Sequence, residues 1–203
     1  MIQVTVKGVT LSLQTVSSLF SPKAVDPGTL AMLSCVTFEP SDIVLDLGCG
    51  YGLVGVLAAK LVGPRKVFLV DNDPIAIKVA TANLKINGID DANVVLSDGF
   101  RQFSEAGFTK ILSNPPYHAD FSVPKHFIEK GFNRLVIGGR MFMVTKRELW
   151  YRKKFEHIFG GVMVREIGDY FVFEAIKKSN RYADKPRAEQ RGRKIRAVSR
   201  QPR

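Results

Sequence analysis

Cysteine is scarce in this chain of 203 residues: Cys35 and Cys49 are the only two, far apart and in no CxxC pair. That usage points to a reducing cytosol and away from a zinc site. Long apolar runs are missing as well, because Lys60 and Lys66 interrupt the best candidate around LVGVLAAKLV. A spanning helix needs about 18 or more apolar residues, so none is expected and no membrane partner with it. The opening MIQVTVKG has no basic-then-apolar layout and does not read as a signal peptide. No internal repeat is visible. The expectation is a soluble, cytoplasmic protein of ordinary size, able to bury a sizeable core.

Acidic residues are outnumbered 19 to 30 by Lys and Arg, which gives a formal net charge of +11. From Lys177 to Arg203 there are 11 Lys or Arg and 2 acids, a net of +9, so residues 1–176 carry 11 − 9 = +2. A nearly neutral body followed by a basic, Arg-containing arm reads as a single domain over 1–177 and a disordered tail over 178–203. Such an arm finds phosphate backbones by charge and counterion release.

The body divides at about residue 40. IQVTVKGVTLSLQT alternates apolar and polar residues on both sides of Lys7-Gly8 and predicts a short β-hairpin. Asp26 followed by Pro27 predicts the start of a helix that runs through Leu30 and Leu33. Over 41–177 the rhythm becomes strand, loop, helix. Strands are expected at 43–47, 66–70, 93–97, 110–114 and 141–146, with helices between them, one of them over 122–136. Two β-rich runs, 162–167 and 170–176, are separated only by Gly168-Asp169 and predict a terminal antiparallel hairpin. The pattern is that of an α/β, Rossmann-like fold. It has a seven-stranded, mostly parallel sheet with helices on both faces and the hairpin at one edge.

In open α/β sheets ligands bind at the carboxyl ends of strands, near the switch in strand order. Four strand ends here are unusual. VLDLGCGYG places Gly48, Gly50 and Gly52 at a strand–helix turn, where small residues let backbone approach a ligand and a helix N-terminus offers N–H groups. The spacing is GxGxG, with Leu53 where a dinucleotide fingerprint has its third glycine. Asp46, two residues ahead, suits a positively charged amine and is a poor neighbour for a pyrophosphate. LVDND ends the next strand with Asp71, which suits the hydroxyls of a ribose, followed by Asn72. LSDG places Asp98 where it accepts from an adenine amino group or simply makes a turn. SNPPY ends the fourth strand with Asn114 ahead of Pro115, Pro116 and Tyr117; the prolines end the ladder and hold the backbone extended.

DLGCGYG, VDND, SDG and NPPY, in this order, resemble the class I S-adenosylmethionine-dependent methyltransferases over about residues 15–177. FSPKAVDPGT and SNPPYH narrow the resemblance to the "methyltransferase small" domain of rRNA guanine-N2 methyltransferases. Larger members carry a further N-terminal domain, which these residues do not match. The resemblance implies S-adenosylmethionine as cofactor, held by Asp46, Gly48, Gly50, Gly52, Asp71, Asn72, Asp98 and Asn114, with no metal. It implies rRNA as partner, gripped by the NPPY face; the tail after Lys177 has no counterpart in the family, and its expected contact with RNA rests on its charge. Asn114 and the Pro115 carbonyl would each take one hydrogen of an exocyclic amine and turn its lone pair toward the methyl group. Pro116 would stiffen that carbonyl and Tyr117 would stack on the base. Tyr117 stands where some guanine-N2 enzymes have Phe, and Tyr is common in adenine-N6 and glutamine-N5 enzymes, so both alternatives stay open. A non-catalytic RNA-binding or assembly factor on the same fold is a further alternative, opposed by the intact Asp46, Asp71, Asp98 and Asn114. His118 could touch substrate, Phe20 and Asp26 either lie over the cofactor or form a capped helix start, and Cys49 serves by its small size.

Overall fold

The protein is described by a computed structural model for residues 1–19, 21, 24–115 and 121–183. Strands β1 (Ile2–Val6) and β2 (Val9–Leu13) form the hairpin, with Val6 opposite Val9. Lys7 and Gly8 both adopt positive φ, 51° and 76°, the two-residue turn whose twist matches the flanking strands. Leu11 and Leu13 are fully buried.

Helix α1 (Pro27–Cys35) starts as the sequence predicts: the Asp26 side chain accepts from Thr29 N, and Pro27 occupies the first turn. Then come β3 (Val44–Leu47), α2 (Leu53–Val62), β4 (Val67–Asp71), α3 (Pro74–Ile86), β5 (Asn93–Leu96) and β6 (Phe108–Ser113). The chain continues through α4 (Ser122–Arg134), β7 (Leu135–Thr145), α5 (Glu148–Phe159), β8 (Met163–Ile167) and β9 (Tyr170–Ile176). The seven-stranded sheet has the order β5-β4-β3-β6-β7-β9-β8. β5 to β7 are parallel, and β9 and β8 add the antiparallel hairpin across Gly168-Asp169.

Strand β7 begins six residues before the expected 141, pairing Leu135 with Phe108 before the register shifts at Lys110. The added stretch contains Gly138 at φ 85° and the exposed Val136 and Ile137, so its letters show neither alternation nor a buried run. The two sides of β3 show why the sheet is covered twice. Val44 packs with α1, α2 and α3, while Leu45 and Leu47 face the phenylalanine-rich layer under α4 and α5.

Two asparagines of α3 fasten the N-terminal hairpin. Asn87 accepts from Ser12 N at 3.1 Å and donates to Ser12 O at 2.8 Å. Asn83, fully buried, accepts from Gln14 N at 2.7 Å and donates to Gln14 O at 2.9 Å and Tyr51 O at 2.8 Å. One helical turn of four residues rises about 6 Å and two strand residues about 6.6 Å, so the amides mimic a strand edge. Tyr51 belongs to the glycine loop, so this buried side chain couples the hairpin to the site.

Beyond residue 177 the chain stays on the body for a further six residues. The Tyr182 hydroxyl donates to Glu129 O at 3.1 Å, its ring meets Phe132 edge-on at 5.1 Å, and Ala183 N donates to Ile158 O at 3.1 Å. The basic residues from 185 onward lie outside the described residues. No helix among the described residues is long and apolar enough to cross a membrane.

Candidate active site

The chain runs β3, β4, β5 toward one edge, then returns to place β6 and β7 on the other side of β3. The switch in strand order therefore falls between β3 and β6, and their tips flank a cavity of about 320 Å³. Asp46, Gly48, Gly50, Asp71, Asn72, Asp98, Asn114 and Pro115 all line it. Gly52 does not. It caps α2 at φ 88°, and a Cβ there would sit 3.0 Å from Ala80 Cβ, so glycine serves backbone shape and helix packing.

The glycine loop is not a phosphate cradle. Gly48 N and Cys49 N donate to Val70 O at 2.8 and 3.0 Å, Gly50 N to Asp71 Oδ2 at 2.8 Å, and Gly55 N to Asp46 Oδ2 at 2.8 Å. The amides expected to face a ligand are spent on shaping the loop and on fixing the two carboxylates. Asp71 Oδ1 also accepts from Asp73 N at 3.0 Å, so both its oxygens are oriented by backbone.

The cavity is strongly anionic. Asp26, Asp46, Asp71, Asp73 and Asp98 line it, with no Lys or Arg among the described lining residues. Asp46 is buried, and that burial pushes its carboxyl up to about 7, opposed by the Gly55 hydrogen bond and helped by the nearby Asp71. Burial, with Asp46 and Asp71 beside it, raises the Cys49 thiol well above its ordinary range, in line with a small, inert residue. Asp98 is the turn residue of its segment and is also at the cavity. It pairs with Arg101 at 3.1 Å within that turn.

Asn114 is held from a distance. Its amide nitrogen donates to Asp26 Oδ1 at 2.8 Å and Thr29 Oγ1 at 2.9 Å. Both amide hydrogens are thereby committed toward α1, which assigns the opposite corner of the group to Oδ1, an acceptor. Thr29 N and Thr29 Oγ1 both donate to the same Asp26 oxygen, at 2.7 and 3.2 Å. The cap of α1 is thus also the clamp on Asn114: Asp26 forms the capped helix start and lines the cavity as well. Ser113 Oγ donates to Leu47 O at 2.8 Å and ties the β6 tip to β3. Burial, then the Asp26 carboxylate, push the Tyr51 hydroxyl up to about 12, so it stays protonated on the wall of the site.

Sequence reasoning missed the apolar wall. Val123 and Phe127, one turn apart on α4, line the cavity beside Gly48 and Gly99. A Cβ on Gly99 would meet the Phe127 ring at 2.9 Å, so that glycine makes room for the aromatic. The pairing of a glycine turn with an i, i+4 apolar pair was the available signal, but the same letters serve any buried helix. His126 accepts from Phe100 N at 3.4 Å and is partly packed, with burial and Arg101 lowering its pKa; His157 is exposed. Pro116, Tyr117, His118 and Phe20 lie outside the described residues.

Fold and site together define a class: a doubly wound α/β protein with an acidic, partly apolar cavity at its switch point. A family model, the methyltransferase small domain, matches residues 10–174, and the chain belongs to that family. It is 31% identical over 182 residues to the ribosomal RNA large subunit methyltransferase G of Alteromonas mediterranea, covering 84% of this chain and 44% of that protein. It is 30% identical over 169 residues to an uncharacterized Bacillus subtilis protein, covering 79% and 83% respectively. Among solved structures, a T. thermophilus 16S rRNA N2 guanine methyltransferase in complex with AdoMet and guanosine superposes with a TM-score of 0.76. It is 28% identical, with 87% of this chain and 50% of that one covered. The chain spans about half the length of the named rRNA methyltransferases it matches.

Proposed function

We propose that this protein is an S-adenosylmethionine-dependent N-methyltransferase acting on an exocyclic amine of an RNA base, guanine N2 of rRNA. The observation that carries the reading is the clamp on Asn114. Asp26 and Thr29 accept from its amide nitrogen, which fixes the orientation of the side chain in a cavity that Pro115 also lines.

The cavity fits the cofactor by chemistry. Asp46 suits the methionyl amine, Asp71 the ribose hydroxyls and Asp98 the adenine amino group, with Val123 and Phe127 as an apolar face. Asn72 lies at the rim beside Asp71. Five aspartates, with no Lys or Arg among the described lining residues, would repel a pyrophosphate, whereas S-adenosylmethionine carries positive charge and no phosphate. When bound, the cofactor would supply an electrophilic methyl on a sulfonium; the C–S pair would stay with sulfur, and the methylated nitrogen would lose one of its hydrogens as a proton to water. The protein's task is then the amine, whose lone pair is delocalised into the ring. Two fixed acceptors, Asn114 Oδ1 and Pro115 O, draw its hydrogens to one side and favour a pyramidal nitrogen. That is orientation plus preorganised electrostatics. In this reading Pro116 stiffens the acceptor carbonyl, Tyr117 grips the base, and the basic tail holds RNA backbone in the cytoplasm.

The named rRNA methyltransferases among the relatives favour rRNA over glutamine as substrate. The test is nucleoside analysis of rRNA and tRNA from cells with and without the gene, beside calorimetry of S-adenosylmethionine binding. Loss of N2-methylguanosine is expected. Loss of N6-methyladenosine instead would replace the substrate. A protein that binds no cofactor would move it to the assembly-factor class.

A further inference from the structure

The cavity that admits a base cannot hold the phosphates around it. Its five aspartates repel them, so the backbone of an RNA substrate has to be held outside. The charge on the body is placed accordingly. Residues 1–176 carry a net +2, yet KRELWYRKK (146–154) has five Lys or Arg and one Glu, +4, leaving 2 − 4 = −2 for the rest.

This stretch begins where β7 ends at Thr145. Ser113 on β6 lies opposite Met143 on β7, so Lys146 and Arg147 leave the sheet beside the strand that carries Asn114 and Pro115. Along the sheet the tips then run from Asp71 on β4, through the glycine loop and Asn114, to this basic stretch. Arg152 and Lys154 are held by Glu148 and Glu129, while Lys146 and Arg147 are exposed. Lys146 lies 3.7 Å from Asp169 and sits over the Tyr170 ring at 4.9 Å. Arg147 sits over the Phe121 ring at 5.3 Å, and Phe121 is stacked on Trp150 at 4.3 Å and 17°. Phe121 and Trp150 are both half-buried, and the neighbouring Leu149 is 72% exposed. Beneath them Tyr151 is buried against Phe173 and anchors the start of α5.

Packing accounts for Phe121 against Trp150. It does not account for two exposed cations set over aromatic rings at the end of the sheet where the substrate strand opens. Partly exposed aromatic rings rimmed by cations hold splayed bases by stacking and phosphates by charge. Building on the reading of the substrate as RNA, we propose that Lys146, Arg147, Phe121 and Trp150 form a docking surface for the single-stranded nucleotides flanking the target base.

The full chain is titrated with a labelled single-stranded RNA at several salt concentrations, with cofactor binding measured in parallel. Lys146→Gln with Arg147→Gln weakens RNA binding about tenfold or more and lowers the slope of log K against log salt by roughly 1 to 2. Lys60→Gln with Lys85→Gln removes equal charge from exposed positions at the far ends of α2 and α3, and leaves both readings near wild type. Trp150→Leu weakens binding about tenfold, and Trp150→Phe restores most of it. All variants bind S-adenosylmethionine as the wild type does, which shows them folded. Equal losses in the two double variants, no loss in the first, or a wild type that binds no RNA would overturn the docking surface. A wild type that binds RNA through these residues but transfers no methyl group would overturn the proposed reaction and leave the docking surface standing.

Discussion

The two halves of the cavity are built on different principles. On the side proposed to hold the cofactor, Asp46 and Asp71 are each fixed by nearby backbone, from the first turn of α2 and from the loops at the tips of β3 and β4. Asp46 takes Gly55 N, nine residues on, and Asp71 takes Gly50 N and Asp73 N. On the substrate side, Asn114 is fixed by side chains 88 and 85 positions away, Asp26 and Thr29. The first arrangement comes with the β–loop–α units themselves. The second exists only once α1 has docked across the top of the sheet. Damage to the cofactor half should therefore appear as lost affinity, and damage to the substrate half as lost rate.

The sharpest way to break this division is Asn114→Ala. The substitution removes the acceptor and should lower kcat by about 10²- to 10³-fold, the cost of deleting one preorganised polar partner of a reacting group. Calorimetry should find S-adenosylmethionine bound within a few-fold of wild type. Near-normal turnover would sink the two-acceptor mechanism. Next is Asp71→Ala. A hydrogen bond to a charged group contributes about 1.5–3 kcal/mol, so affinity for the cofactor should fall roughly 10- to 150-fold. Turnover at saturating cofactor should change far less. If kcat fell as much as affinity, the halves would be coupled through Gly50 rather than separable.

Asp26→Ala is the intermediate case, because this residue serves structure and site together. Losing a helix cap costs about 1–2 kcal/mol, read as a lower midpoint in urea. With its acceptor gone, the Asn114 amide is free to rotate, and kcat should fall about tenfold or more while cofactor affinity holds. Asp26→Asn keeps an oxygen at the cap and should recover much of the rate. Stability loss without any rate loss would reduce Asp26 to a cap alone.

That contrast also explains what was legible in the letters. The seven strands of the main sheet, both hairpins and the four strand tips follow from local signals: alternation, Asp-Pro caps, two-residue turns and glycine loops. Gly52 was misread because the GxGxG pattern does not separate glycines that face a ligand from one that spares Ala80 a clash. The early strand of β7 was hidden by a register shift around Gly138. Asp26 as a clamp, Phe127 as a wall and Asn83 as a fastener were beyond reach for one reason. Each acts on a partner far away in sequence, and a polar or aromatic residue on a helix has many uses that look alike.

The smallest predicted effect concerns Asp46, the most buried carboxylate of the cofactor half. Burial chiefly, and Asp71 beside it, hold its carboxyl at about 7, above its ordinary value of 3.8. Between those values the folded state carries a proton that the unfolded chain has lost. Stability from this group is therefore greatest below about pH 4, falls as pH rises toward 7, and is level above it. A cationic ligand reverses the preference and favours the carboxylate. Binding of S-adenosylmethionine at pH 6 should accordingly release up to about one proton, and affinity should rise toward pH 8 by no more than about tenfold per pH unit. Calorimetry at pH 6 in two buffers of different ionisation enthalpy reads the release directly, and the difference should fade at pH 8. In Asp46→Asn it should vanish at both. Buffer-independent heats at pH 6 in the wild-type protein would show that Asp46 is already charged before the cofactor arrives, and that the amine is met by a preformed carboxylate.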